Sequence, residues 1–452
     1  MIAPARIAAY EVLRRVALGR SDLASTVSSV RDSLKDDRDR SLATDIAVGT
    51  VRWRGTLDHL IAHAAKRALD RLDDEVVDIL RMSAYQLLHL TRVPASAVVD
   101  DAVNLTKKAG KKSASGLVNA VLRTISRSRT ALALPPRPLD AANRAAVLDY
   151  LSITLSHPRW LVERWLDRVG FERTEAWLIF NNAPAPLTLR VVQSRTTREM
   201  LLSQLAAKGV DAHQANYAPE GIIIDRGNLR EEAIRGEFLV QDEASQVVCL
   251  LAGASPGPTV LDMCASPGGK ATAIASALHD GERLVACDVR DRRLSLLRRT
   301  VSAVGATNVR LVQVDARRPL PFHSVFSTVF VDAPCSGLGT LRRDPDIRWR
   351  RTEADLPALA TTQREMLANA ATVVSAGGRL VYSTCSSEPE ENEHVVADFL
   401  THHPSFSQVS AAEAHGAIAA DLVDVHGHLR TEPDRHGLEL FFGAVFERSR
   451  HL

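Results

Sequence analysis

Apolar positions recur at helical spacing through the first 130 residues. The runs 7–16 and 76–88 each place their apolar side chains on one face of a helix, and a further helix is predicted over 116–125. Strand-type alternation is absent from this part of the chain. The pattern predicts an all-α bundle over 1–133. The bundle ends before Leu134–Pro138, because a helix cannot continue through three prolines in four residues.

The next stretch mixes helical and extended patterns. Residues 157–169 and 197–208 have the periodicity of amphipathic helices, whereas 187–192 and 221–225 are rich in the branched residues typical of strands. These elements predict a small α/β subdomain over 140–235.

From residue 238 onward, short β-type runs alternate with helices. The predicted strands cover 259–263, 283–288, 309–315, 327–332 and 378–383. The predicted helices cover 270–279, 290–304, 354–376 and 390–402. Such alternation predicts βαβ units and a mostly parallel, doubly wound sheet over 236–452. Ligands of such sheets bind outside the carboxyl ends of the strands, so that edge is where we expect the chemistry.

Composition fits a soluble globular protein, with 45% hydrophobic and 24% charged residues in a chain of 452. The net charge of +2 does not by itself indicate a polyanion partner. Charge is unevenly distributed, however, since residues 1–130 carry 22 Lys and Arg against 15 Asp and Glu. A basic module of this kind is typical of nucleic-acid binding, although a solvated helical surface explains the charge equally well.

The five cysteines all lie in the second half of the chain, at 249, 264, 287, 335 and 385. Their odd number and their spacing favour neither a disulfide framework nor a zinc site, and we expect no metal. Charged residues interrupt the only candidate leader, and no apolar run approaches the roughly 20 residues of a membrane span. We therefore expect a cytoplasmic protein without membrane association.

A glycine-rich turn follows the first strand of the predicted sheet, within 260–270. Gly268 and Gly269 permit close approach of a ligand and expose N–H groups at the start of a helix. The spacing matches neither the dinucleotide fingerprint nor the Walker loop. Asp288 ends the next strand, 20 residues past Gly268, and Asp315 ends the third strand. Together these features favour a bound nucleoside cofactor.

Two cysteines follow strands at the same edge. Cys335 and Cys385 lie among Ser, Thr, Gly and Pro, a setting that suits a partly exposed, activatable thiol. Cys249 and Cys287 fit a buried structural role, and Cys264 lies inside the glycine turn, where its backbone matters more than its thiol.

Three motifs carry a family resemblance. The runs Asp262–Lys270, Asp332–Cys335 and Ser383–Cys385 resemble the NOL1/NOP2/Sun family of RNA cytosine-5 methyltransferases, which use S-adenosylmethionine. The segments 332–349 and 391–393 also match that family. The N-terminal region resembles a NusB-type RNA-binding domain, and the fusion of the two is the arrangement of bacterial 16S ribosomal RNA methyltransferases. The resemblance covers nearly the whole chain and implies a Rossmann-like class I methyltransferase domain.

The resemblance implies a role for each site residue. The methionine part of the cofactor is held by backbone groups of the glycine turn, at Cys264, Ala265, Ser266, Pro267, Gly268, Gly269 and Lys270. Asp288 takes the ribose, Asp315 lies near the adenine, and Asp332 hydrogen-bonds the cytosine ring near the reacting centre. Lys270 faces the shared pocket and touches the base or the cofactor carboxylate, with a solvent-facing lysine as the alternative.

The spacing of the motifs does not decide which cysteine attacks carbon 6. By resemblance to the RNA enzymes, Cys385 is the nucleophile and Cys335 assists product release. DNA cytosine-5 methyltransferases use the Pro-Cys thiol, which corresponds to Cys335. The Thr-Cys motif and its RNA-type context favour Cys385.

The expected substrate is a cytosine of 16S ribosomal RNA, either free or in an assembling small subunit. One alternative keeps the chemistry and changes the substrate to transfer RNA or 23S ribosomal RNA. Another is a NusB-type assembly factor with an inactive methyltransferase half. We expect a monomer, because no segment has the pattern of an obligate interface. Arg342, Arg343, Arg348 and the lysines of 107–112 are candidates for phosphate contacts, with solvated side chains as the alternative.

Overall fold

A computed structural model describes residues 2–227, 229 and 236–450 of the chain. Its helices are α1 (Pro4–Ala17), α2 (Leu23–Arg31), α3 (Asp37–Arg52), α4 (Arg54–Ala65), α5 (Asp74–His89), α6 (Ala95–Lys108), α7 (Ser115–Arg127), α8 (Arg144–Asp149), α9 (Arg159–Val169), α10 (Phe171–Asn182), α11 (Arg198–Ala207), α12 (Glu243–Cys249), α13 (Gly269–Ser276), α14 (Asp291–Val304), α15 (Ile347–Arg350), α16 (Asp355–Val373), α17 (Glu393–His402), α18 (Ala411–Ala414) and α19 (Pro433–His436).

The strands form two sheets. They are β1 (Leu187–Val191), β2 (Asp211–Gln214), β3 (Gly221–Arg226), β4 (Phe238–Val240), β5 (Thr259–Asp262), β6 (Arg283–Asp288), β7 (Val309–Gln313), β8 (Phe326–Asp332), β9 (Val374–Thr384), β10 (Phe406–Val409), β11 (Leu429–Arg430) and β12 (Phe442–Arg448). The smaller sheet has the order β2-β3-β1-β4, and the larger has the order β10-β12-β9-β8-β5-β6-β7, with β11 pairing to β12.

The described chain divides into two compact units. The first contains Met1–Ala183 and Leu341–Arg351, and the second contains Pro184–Thr340 and Thr352–Leu452. No described helix is both long enough and apolar enough to cross a membrane.

The first unit is helical, as its periodicity predicts. Its core is built from apolar faces of α1 and α3 to α7, and Ile46, Leu57, Ile79 and Leu122 are fully buried there. The predicted helix over 116–125 is confirmed as the central part of α7.

Helices α8 to α10 also lie in the first unit, although the sequence analysis placed 140–182 in the α/β subdomain. Hydrogen bonds to α4 account for this difference. The Thr56 hydroxyl donates to the carbonyl of Ile153 over 2.7 Å, and the Gly55 amide donates to the Ser156 hydroxyl over 3.0 Å. Helical periodicity does not tell which neighbour a helix packs on. The predicted domain boundaries stay a prediction, since a unit of packing need not be a domain that folds alone.

Arg348 belongs to the same unit and is fully buried, so it is not available to phosphates as the sequence analysis considered. Its guanidinium donates to the carbonyls of Ser156 (3.0 Å) and Asn181 (3.2 Å) and to the Asn182 side-chain oxygen (2.9 Å). Burial lowers the pKa of Arg348 well below its ordinary value. Arg348 therefore has a structural role, since its buried side chain holds parts of the helical unit together by hydrogen bonds.

The second unit begins with the small sheet, whose strands pair antiparallel and support α11. Leu189, Ile222, Leu201 and Leu205 are fully buried in the layer between sheet and helix. The two strands and the helix predicted here are confirmed, and the edge strands β2 and β4 were missed because they are short and mostly exposed or half-buried.

The larger sheet is parallel through β5 to β9 and antiparallel where β12 pairs with β9 and β10. The prediction over 283–288 matches β6, and the other predicted strands overlap β5, β7, β8 and β9. The carboxyl ends of these parallel strands meet at one edge of the sheet. The α/β prediction is thus confirmed, and it brings the predicted site residues to that edge.

Candidate active site

A cavity of about 500 Å³ opens at the carboxyl ends of β5, β6, β8 and β9. Predicted site residues that line it are Cys264, Ser266, Asp288, Asp315, Asp332, Cys335 and Cys385. Ala265, Pro267, Gly268, Gly269 and Lys270 are not among its lining residues. The topology therefore gathers side chains separated by more than 100 residues into one pocket.

The glycine turn leads from β5 to α13. The Cys264 amide donates to the Asp262 carboxylate over 3.2 Å, which fixes the first residues of the turn. Gly268 has φ +112°, and a Cβ there would lie 2.9 Å from the Thr300 side chain of α14. Gly268 is therefore required by its backbone conformation and by close packing on α14.

Asp262 is a buried acid that the sequence analysis gave no role. Burial, reinforced by the charge of Asp332, raises the pKa of its carboxyl to about 7. Its Oδ2 has no hydrogen-bond partner among the described residues. The signal available in the sequence was its place as the last residue of an apolar strand.

Two further acids line the far side of the cavity. Asp288 ends β6 and is almost fully buried, with Arg293 Nε 3.7 Å from its Oδ2. Arg317 donates from Nη2 to Asp315 over 2.8 Å, and these hydrogen bonds lower the pKa of the Asp315 carboxyl. The two acids stand at neighbouring strand ends, as predicted.

Asp332 lies between a cation and a hydroxyl. Lys270 Nζ lies 2.8 Å from its Oδ2, and the Ser383 hydroxyl donates to its Oδ1 over 3.0 Å. Burial alone would lower the pKa of Lys270, but the Asp332 carboxylate raises it above its ordinary value. Lys270 therefore pairs with Asp332, which lines the cavity, and its Nζ lies 5.3 Å from the centre of the Phe441 ring.

The two cysteines lie side by side. The Sγ atoms of Cys335 and Cys385 are 3.4 Å apart, and both residues are partly exposed. The hydrogen bond to Cys385, together with burial, raises the pKa of Cys335 well above its ordinary value. The raised pKa favours the protonated thiol at Cys335, and either sulfur can be the donor in the contact between them.

Other cysteines differ in setting. Cys249 and Cys287 are buried, as expected, and burial raises the pKa of the former to about 11 and of the latter to about 12. Burial also raises the pKa of Cys264 well above its ordinary value. These three thiols are poor candidates for a nucleophile.

Family comparisons cover three parts of the chain. A model described as 16S rRNA methyltransferase RsmB/F matches residues 249–447. A NusB family model matches residues 3–127, and a ferredoxin-like domain of RsmF/B-like methyltransferases matches residues 157–229.

Individual relatives match over most of their length. A Pseudomonas putida protein named ribosomal RNA small subunit methyltransferase B is 35% identical, with 91% of this chain and 92% of that protein covered. A Bacillus subtilis protein named probable ribosomal RNA small subunit methyltransferase B is 31% identical, with 92% of each covered. The solved crystal structure of a protein named PH0851 superposes with a TM-score of 0.81 at 26% identity, covering 99% of each chain.

Proposed function

Since the chain belongs to the RsmB/F family and is an S-adenosylmethionine-dependent ribosomal RNA methyltransferase, we propose that it methylates carbon 5 of a cytosine in 16S ribosomal RNA. The observation that carries this proposal is the pair of thiols 3.4 Å apart beside the Asp332 carboxylate. Methyl transfer to oxygen, nitrogen or a small molecule does not need two thiols, whereas addition to and release from a pyrimidine ring uses both.

The cavity suits the cofactor. Asp288 offers a nearly buried carboxylate to ribose hydroxyls, and Asp315 lines the neighbouring wall. The turn 264–270 leads into the N-terminus of α13, where free N–H groups favour an anionic group such as a carboxylate. When bound, S-adenosylmethionine supplies an electrophilic methyl group.

Cys385 is the nucleophile of the proposed reaction. Its thiolate adds to carbon 6 of the cytosine, and the electron pair of the 5,6 double bond then makes carbon 5 nucleophilic. Once carbon 5 carries the methyl group, a water molecule takes its proton and the electron pair of that C–H bond restores the 5,6 double bond. The bond between sulfur and carbon 6 breaks at the same time, and its electron pair returns to Cys385.

Asp332 and Lys270 stabilise the altered ring. Asp332 stands at the end of β8, on the same wall of the cavity as both cysteines, where its carboxylate can accept a hydrogen bond from the amino group beside N3 of the base. The Lys270 ammonium and the Ser383 hydroxyl hold this carboxylate in one orientation. Preorganised polar groups of this kind need no rearrangement during the reaction.

Cys335 assists release. Its sulfur lies 3.4 Å from the Cys385 sulfur and its raised pKa favours the protonated thiol, so Cys335 can donate a hydrogen bond to the departing thiolate as the carbon–sulfur bond breaks.

The substrate is tested by methyl transfer from labelled S-adenosylmethionine to unmodified 16S ribosomal RNA, small-subunit particles, 23S ribosomal RNA and transfer RNA. Digestion should yield labelled 5-methylcytidine from 16S RNA or its particle alone. Labelled 5-methylcytidine in transfer RNA or 23S RNA would show that the reaction is as proposed but that the substrate is a different RNA. Cofactor binding without label in any RNA or particle would favour the assembly-factor alternative.

We also propose that the chain acts as a monomer in complex with RNA. Light scattering coupled to gel filtration of the protein without RNA should give the 49.2 kDa mass of one chain. A mass of twice that value over the assay concentrations would overturn this proposal.

A further inference from the structure

A buried network lies behind the two cysteine loops. It joins the residues that flank Cys335 to those that flank Cys385, and its centre is Glu391, which is fully buried in a short turn before α17. Glu391 was not among the site residues predicted from the sequence.

Glu391 receives three donors from three separate segments. Its Oε1 accepts from the Ser336 backbone amide over 2.8 Å and from Gln363 Nε2 over 3.0 Å. Its Oε2 accepts from the Ser386 hydroxyl over 2.5 Å. Since Ser336 follows Cys335 and Ser386 follows Cys385 in the chain, one carboxylate holds both loops.

Neighbouring contacts close the network. Gln363 also donates to the carbonyl of Pro334 over 3.1 Å, so the other side of Cys335 is held as well. Asn392 Nδ2 donates to the carbonyl of Ser386 over 2.9 Å, and its Oδ1 accepts from the Thr384 hydroxyl over 2.5 Å. Each cysteine is thus fixed from both of its neighbours.

Burying a carboxylate is costly unless its oxygens are satisfied, and here hydrogen-bond donors satisfy both. An apolar side chain would fill the same space without that cost. A fully satisfied buried polar network does something that apolar packing does not, because it fixes the distance and direction between the groups it joins.

We propose that Glu391 is a positioning residue that sets the separation of the Cys335 and Cys385 sulfurs. The proposal rests on the proposed function only in taking these thiols as the reacting pair. It concerns geometry, so it is testable whether or not methyl transfer is measured.

The variants are Glu391→Gln, which keeps the volume and converts one acceptor to a donor, and Ser386→Ala, which removes one donor to Glu391. Glu365→Gln on the exposed face of α16 is the matched control. Circular dichroism and thermal melting identify any variant that fails to fold, and Ser386→Ala keeps the test open if Glu391→Gln is lost.

The first readout is thiol proximity. Diamide oxidises two neighbouring thiols to a disulfide and is itself reduced to the hydrazine, with both thiol protons transferred to it. The rate at which the Cys335–Cys385 disulfide forms is followed by mass spectrometry of the linked peptides. This rate reports how often the two sulfurs approach bonding distance. We expect it to fall at least tenfold in both variants and to stay unchanged in Glu365→Gln.

The second readout is steady-state kinetics of methyl transfer. Misplaced thiols should lower kcat by about 10- to 100-fold and leave KM for S-adenosylmethionine within twofold, because the cofactor wall of the cavity is untouched. A role in stability alone would lower the melting temperature without changing either readout below it.

The outcomes separate the two proposals. Folded variants that oxidise at the wild-type rate overturn the positioning role. Slowed oxidation in an enzyme whose wild type methylates no cytosine would support the positioning role and overturn the proposed function.

Discussion

At the scale of single residues, the sequence predicted which side chains belong to the site, but not the distances and pairings between them. Cys335 and Cys385 could be identified because unusual residues follow strand ends at one edge of a parallel sheet, and Asp332 and Lys270 because their motifs resemble those of RNA cytosine-5 methyltransferases. The sequence could not show that the two sulfurs are 3.4 Å apart or that Lys270 pairs with Asp332, because those facts depend on loop conformation.

The first residue-scale prediction concerns the Cys335 pKa. Cys385 raises it, so Cys385→Ala should lower the pKa of Cys335 toward that of a free thiol. A lower pKa means more thiolate at a given pH, so alkylation of Cys335 by iodoacetamide at pH 8 should become faster. Peptide mass spectrometry measures the rate across pH. Cys249→Ala is the control. If the pH dependence of Cys335 alkylation is unchanged in Cys385→Ala, Cys385 does not raise the pKa of Cys335.

The second concerns Ser383, whose hydroxyl donates to Asp332 over 3.0 Å. Ser383→Ala should lower kcat by about tenfold, corresponding to about 1.4 kcal/mol, the size of one hydrogen bond to a charged group. KM for the cofactor should change less than twofold. The comparison variant is Ser276→Ala on α13, whose hydroxyl donates to a backbone carbonyl at the exposed end of that helix. Equal kcat in wild type and Ser383→Ala would show that Lys270 alone orients the carboxylate.

At the scale of elements, the periodicities located most strands and helices of the large sheet. They missed the short strands β10 and β11 and the longer strand β12, because strands and helices no longer alternate regularly after the predicted helix over 390–402. The pattern also could not show that β1 of the small sheet is hydrogen-bonded to the helix that carries the glycine turn.

That link runs through Thr272 of α13. Its hydroxyl accepts from Arg190 Nη2 over 2.7 Å and donates to the carbonyl of Gly268 over 2.7 Å. Arg190 is buried, and burial lowers its pKa. The small sheet therefore supports the glycine turn, in which Cys264 and Ser266 line the cavity.

Thr272→Val keeps the side-chain shape and removes the hydrogen bonds of the hydroxyl to Arg190 and to the carbonyls of Gly268 and Gly269. We expect affinity for S-adenosylhomocysteine, measured by calorimetry, to fall about tenfold because the turn loses its support. Thr361→Val, an exposed threonine of α16 that donates to its own helix, is the matched control. Affinity within twofold of wild type would mean that the turn is rigid without this link.

At the scale of the whole molecule, the order of a helical domain followed by α/β parts was predictable from the change of period along the chain. The path of residues 341–351 was not. This segment carries several arginines and was a candidate phosphate site, yet it belongs to the helical unit and buries Arg348 among carbonyl oxygens. The presence of a charged residue in a sequence does not show whether its side chain is buried or exposed.

Arg348→Met should therefore destabilise the helical unit by about 3 kcal/mol, because it leaves buried carbonyls without donors. All five tryptophans lie in that unit, so urea unfolding followed by tryptophan fluorescence reports on it alone. Arg92→Met, an exposed residue, is the control. The salt dependence of RNA binding should be the same in both variants, and a reduced slope in Arg348→Met alone would restore the phosphate role.

The assignment of Cys385 as nucleophile and Cys335 as the group that assists release is tested most directly by trapping the covalent intermediate. Wild type, Cys335→Ala and Cys385→Ala are each incubated with 16S ribosomal RNA and S-adenosylmethionine and run on a denaturing gel. We predict that Cys335→Ala accumulates a protein–RNA adduct, because addition proceeds and release is impaired, and that Cys385→Ala forms none. An adduct in Cys385→Ala and none in Cys335→Ala would contradict the account and assign the attack to Cys335.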